Sequence, residues 1–201
     1  MNRIRLLIVT SATLLLLVQA GGVLAQTPEP IERTPEMEEH AAEFAAAFPE
    51  SIGGASLLEN LEINVGQELI GAMDPSDPEE AADIAQLPEL AEAAGATLAE
   101  AAPATSYAPL GADAYATIIA LQIRGGDIAP ALPLFVAAFE EDLPGALVEE
   151  TQVGDVDVIR LSSAEDPEGG SFVILGRGDA MGLVAVPPEF LEETIGSLPE
   201  S

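Results

Sequence analysis

Lysine, cysteine and tryptophan are absent from this chain of 201 residues, histidine occurs once, and six phenylalanines and two tyrosines are its only aromatics. Each absence removes a class of function. Without cysteine there are no disulfide staples, no thiol nucleophile and no thiolate metal site, so the fold rests on its own apolar core. Without lysine the basic residues are six arginines against 35 acids, a formal charge of −29. Neutralising phosphates takes clustered Lys or Arg, so nucleic acid is excluded as a partner and anionic membrane surfaces are disfavoured. A charged ligand or partner of such a chain is cationic. The shortage of Trp and Tyr argues against a sugar-stacking cleft. With one histidine, a catalytic zinc site of two or three imidazoles cannot be built.

The most specific feature present is an address. Arg3 and Arg5 precede an apolar run from Leu6 to Val18, and Gln19, Gly21-Gly22 and Val23-Leu24-Ala25 follow. A positive start, an apolar stretch too short to span a bilayer and small residues at its end make a cleavable signal peptide over 1–25. Cleavage after Ala25 releases a secreted protein with no stable membrane association. Arg3 and Arg5 leave with the leader and no acid does, so the remainder holds four basic and 35 acidic residues, a charge of −31. Residues 26–34 carry two prolines among polar residues and are expected to form a flexible tether before a single domain over 35–201.

The patterning of 35–201 predicts an α+β domain: an antiparallel or mixed sheet of five to six strands, with helices packed mostly on one face. Thr34-Pro35-Glu36 has a hydroxyl cap, a proline at the first position and an acid facing the dipole, which starts a helix ending at Pro49. Residues 55–65 read as a strand. From Asp77 to about Ala102 the chain is helical, broken into two pieces by Pro88 and Gly95; Asp77 and Glu80 resemble a capping box. Pro103 to Gly111 reads as a loop.

Residues 114–124 alternate clearly enough for a strand, and Asp127 opens a helix reaching Asp142. Strands at 146–152, 155–163, 171–176 and 180–186 then form a meander, with 171–176 central because it is apolar on both faces. A last helix begins at Pro187-Pro188-Glu189.

Glu36, His40 and Glu43 are the sharpest site candidate. On a helix they fall at i−4, i and i+3, so a nitrogen and two carboxylates share one face and could ligate a metal; the alternative is a solvated helix face. Carboxylates at Asp74/Asp77/Glu79/Glu80 and at Asp155/Asp157 offer oxygen ligands for weak divalent-cation binding, without the spacing of an EF-hand loop. Arg177-Gly178-Asp179 resembles an integrin-recognition tripeptide, at a place where Gly-Asp serves a hairpin turn. Nucleophile-elbow, Walker and dinucleotide-binding motifs are absent.

These readings point first to a non-enzymatic extracytoplasmic binding or cell-surface module, taking an unknown protein or cationic ligand and needing no cofactor. The alternatives are a carboxylate-dependent hydrolase, helped by a metal at Glu36/His40/Glu43, and a weak calcium-binding protein. A hydrolase gathers acids in a concave pocket beside Arg124, Arg160 or Arg177; a binding module spreads its acids outside and exposes apolar surface.

Overall fold

A computed structural model of the protein describes residues 32–73, 78–111, 114–142, 145–163 and 171–198. The leader, most of the tether and the Asp74/Asp77 end of the acidic cluster lie outside these residues, as does the Asp77 cap. Thr34 does cap the first helix, α1 (Pro35–Ala47), its Oγ1 accepting from the Met37 N–H at 3.3 Å. A two-stranded ribbon, β1 (Ser51–Ile52) with β2 (Ala55–Ser56), turns on Gly53 and Gly54, both at positive φ.

The expected strand at 55–65 is instead β2, a 3₁₀ turn over Leu58–Asn60, and β3 (Glu62–Ile63). Leu57, Leu61 and Ile63 would also share one face of a strand, but Asn60 N–H donates to the Leu57 carbonyl and Leu61 N–H to that of Leu58, and these i→i+3 bonds curl the chain into a turn. Helix α2 (Gly66–Ala72) follows, started by the Glu68 carboxylate accepting from the Val65 N–H at 2.9 Å.

Helix α3 (Pro78–Ala93) runs through Pro88, which corrects the expectation of two pieces. Gly95, at φ +76°, ends it in a Schellman closure: Ala96 N–H donates to the Ala91 carbonyl and Gly95 N–H to that of Glu92. Next come β4 (Ala101–Pro109), β5 (Tyr115–Ile123), α4 (Leu132–Asp142), β6 (Ala146–Val153), β7 (Val156–Ser163), β8 (Ser171–Arg177), β9 (Ala180–Ala185) and α5 (Pro188–Ser197).

The main sheet has seven strands in the order β3-β4-β5-β9-β8-β7-β6, antiparallel at every pairing. α4 carries the chain from β5 to the far edge, and the meander returns to place β9 beside β5. β8 is an interior strand between β9 and β7, as its two-sided apolar pattern requires, and β9 is the middle strand.

The sheet exceeds the expected five to six strands because most of 103–111, expected to be a loop, lies in β4. Its prolines do not break the ladder with β5. The Pro103 carbonyl accepts from Asn64 N–H and the Tyr107 carbonyl from Asn60 Nδ2, so backbone groups at odd positions point away from β5. Pro103 and Pro109 therefore lack an N–H that β5 never uses, and nine residue pairs stay in register.

Both faces of the sheet are covered, which corrects the expectation of helices mostly on one. Ile119, Leu121 and Ile123 of β5 pack in one core with Leu90 and Ala94 at the end of α3 and with Phe135 and Phe139 of α4. Ala116, Ile118 and Ala120 of the same strand face Phe44 and Phe48 of α1 and Phe190 of α5. Ile195 extends that second layer over Val158, Val173 and Val184. Alternating residues of β5 are apolar on both sides, the mark of a strand buried between two layers.

Candidate functional site

Of the three residues proposed for a metal, the structure turns one inward and leaves two outside. His40 is 2 % exposed, whereas Glu36 and Glu43 lie on the solvent side of α1. Glu43 pairs with Arg124, which follows β5. Among the described residues no group of three or more His, Asp or Glu side chains is gathered as a metal ion requires. Asp157 accepts from Gln152 Nε2 at 2.7 Å, a cross-strand pair on the β6–β7 ribbon.

The imidazole lies where β5 ends and β9 begins. Burial lowers its pKa, the Arg124 guanidinium lowers it further, and Gln122, Glu43 and Asp179 act in the opposite sense. Gln122 Nε2 in turn donates to Asp179 Oδ1 at 3.3 Å, and the Asp179 carbonyl accepts from Ile123 N–H at 2.7 Å. His40 Nε2 and Gln122 Oε1 are both buried and neither makes a hydrogen bond of good geometry among the described residues, although Gln122 lies close enough to raise the imidazole pKa. Period-3.6 reasoning placed His40 beside Glu36 and Glu43; the polar residues of β5 and the β8–β9 turn that meet it come from sequence positions more than 80 away.

One turn further along α1, Phe44 and Phe48 roof a cavity of about 40 Å³ over the sheet. Its floor is made of small residues, Ala120, Ala180 and Gly182, with Leu175, Ile118 and Leu198 at the sides. Gly182 contributes to the gap: a Cβ there would come within 3.2 Å of the Ile119 carbonyl oxygen on the paired strand β5, a tight approach. Among the described residues lining the cavity Arg177 is the only charged one, and its Nη1 donates to the Leu198 carbonyl at 3.1 Å. Ligand pockets run to about 300–1,000 Å³, so this space holds a few waters or a methyl group and no preformed substrate. The Arg177-Gly178-Asp179 tripeptide sits at the β8–β9 turn, with Arg177 tied to α5 and Asp179 to β5.

The surface offers more than the cavity does. Among the described residues six large apolar side chains are exposed, and four of them stand on strands: Tyr107 and Tyr115 at the β4–β5 hairpin, Leu147 and Val148 on β6. Among the described residues β6 pairs only with β7 and forms one edge of the sheet. The opposite edge, β3, is two residues long, and Arg33 Nη2 donates to its Ile63 carbonyl at 2.6 Å. Arg33 is held there by Glu68 at 2.7 Å. None of the described helices is long and apolar enough to cross a membrane. No family model, curated protein or solved structure matches this chain.

Proposed function

We propose that this chain is an exported, non-catalytic binding module that recognises its partner on the surface of its sheet, at the β6 edge. The observation that carries the reading is the eight-residue edge strand with Leu147 and Val148 both exposed, one on each face. Soluble domains usually shorten, cover or bend such an edge, as β3 is shortened and capped by Arg33. Leaving it long and partly apolar is consistent with use. The hydrolase reading has less support, since Glu36 and Glu43 stand on the solvent side of α1 while His40 is turned inward, and Glu43 is paired with Arg124. Export rests on the leader at residues 1–25.

Two measurements test this. Intact mass of the protein recovered from the culture medium is expected to begin at Gln26; a species keeping residues 1–25 in the membrane fraction removes the exported reading. A photo-cross-linking residue at Leu147 is expected to give one discrete adduct in the extracellular fraction, and the same residue at Leu134, exposed on α4, is expected to give none. Turnover of ester, glycoside or peptide substrates that is lost in both His40→Gln and Glu43→Gln would overturn the non-catalytic assignment.

A further inference from the structure

The geometry points to a partner of defined chemistry: we infer that β6 accepts an extended polypeptide segment carrying Lys or Arg, which adds an eighth strand to the sheet. This rests on the binding-module reading and names the ligand class of that same edge. Val153 and Val156 flank a two-residue turn at Gly154-Asp155, with Gly154 at φ +60° and no other residue of the turn at positive φ, a type II′ hairpin. Residues flanking such a turn exchange both of their backbone bonds, and the pattern alternates from there. Leu147, Glu149, Thr151 and Val153 therefore bond β7. The N–H and C=O groups of Ala146, Val148, Glu150 and Gln152 aim away from the sheet, an open template for one more strand.

Charge decides what fits the template. Glu149 and Glu150 lie at its centre, one on each face; β6 itself contains no basic residue, and while Glu149 has Arg160 of β7 opposite it, Glu150 faces Ile159 and has no cation across the strand. A second copy is the wrong occupant. In the antiparallel registers that overlap most of β6, Glu149 or Glu150 falls directly opposite a carboxylate of the other copy, and like charges directly opposed are destabilising. An incoming strand with cations opposite those two positions and apolar groups opposite Leu147 and Val148 satisfies both the backbone and the side chains.

The test uses the secreted chain and three probes: a blocked octapeptide of alternating Lys and Val, its fully backbone N-methylated counterpart of equal charge, and a Glu-Val counterpart. Affinity is read by anisotropy, and the site by amide exchange. The Lys-Val peptide is expected to bind and to slow exchange at Val148, Glu150 and Gln152; the other two are expected to bind at least about tenfold more weakly. Glu149→Lys with Glu150→Lys should weaken binding about tenfold, while Glu189→Lys with Glu193→Lys, the same charge change on exposed α5 positions, should alter it less than about twofold. Val148→Pro removes one outward N–H and spares the β7 ladder, so it should weaken binding with little change in Tm.

Equal binding of the N-methylated peptide, equal weakening by the α5 variant, or unchanged exchange in β6 would overturn strand addition in favour of bulk charge attraction. A concentration-dependent dimer abolished by Val148→Pro would overturn it in favour of self-pairing. If the probes fail while the Leu147 cross-link still forms, strand addition falls and the binding module stands; if both fail, both fall.

Discussion

Strand β4, Ala-Ala-Pro-Ala-Thr-Ser-Tyr-Ala-Pro, is buried at six of its nine positions, whereas β6, Ala-Leu-Val-Glu-Glu-Thr-Gln-Val, is exposed at five of eight. The bulkier aliphatics are on the outer strand. β4 lies between β3 and β5 and beneath α1, and its small side chains let the roof approach: Ala102, Ala104 and Ala108 meet the layer of Phe44 and Phe48, and Ser106 Oγ donates to the Leu57 carbonyl at 2.6 Å. Among the described strands β6 has one neighbour, β7; α5 packs against part of it, and three of its residues are half-buried. Burial here follows position in the sheet more closely than hydropathy. Alanine suits a tightly roofed strand, and valine or leucine without a cover is surface available to a partner.

Substitutions can break that comparison, and the largest effect is expected where the roof meets β4. Phe44→Ala should cost about 3–5 kcal/mol in denaturant unfolding, since Phe44 is almost wholly buried and the space left cannot collapse onto a sheet floored with alanine. A loss under about 1 kcal/mol would mean that α1 does not seal the sheet.

Next in size is the same change made on both strands. Ala104→Leu should overpack β4 and cost about 1–3 kcal/mol, while Ala146→Leu on β6 should stay within about 0.5 kcal/mol of the parent. Similar losses at the two sites would remove the contrast.

The third effect appears as pH dependence. His40 has its pKa lowered in the folded protein from an ordinary value of 6.5, first by burial and then by Arg124. The unfolded chain therefore takes up a proton before the folded one does. Stability is fully present above about 6.5 and falls as pH drops from there through the folded pKa. His40→Leu should flatten the slope of unfolding free energy between about pH 7 and pH 5.5, ahead of the carboxylate range. An unchanged slope would show that the imidazole is hydrated.

Smallest of all is the Glu43–Arg124 pair, which stands in solvent over that histidine with side chains 58 % and 38 % exposed. Glu43→Gln is expected to cost no more than about 0–1 kcal/mol, and the difference should shrink in high salt.

Several elements were legible because their signals are local. Thr34-Pro35 starting α1, the alternation of β5, the two-residue turns Gly154-Asp155 and Gly178-Asp179, and the two-sided apolar run of β8 each carry their own geometry. What was missed depends on distant neighbours. Whether Pro103 and Pro109 break a strand depends on which way their missing N–H would point, and β5 settles that from outside the segment. The two-sided cover of the sheet depends on the connection through α4 and on the return of α5. The candidate site divides in the same way: the helical spacing of Glu36, His40 and Glu43 was visible, but the rotation of α1 that buries His40 was not. That rotation is fixed by Phe44 and Phe48 docking on the sheet. β6 was recognised as a strand; its place at an open edge was not.

The sequence by itself determined the charge, the lack of thiol chemistry and of any lysine, the α+β class and most element starts, because composition and short-range spacing act within a few residues. Tertiary structure decided which strands are enclosed, which acids stand outside and where the one histidine points. Those outcomes follow from the order β3-β4-β5-β9-β8-β7-β6, in which segments about forty residues apart (β3 and β4) and about sixty apart (β5 and β9) become neighbours, and no local pattern encodes that adjacency.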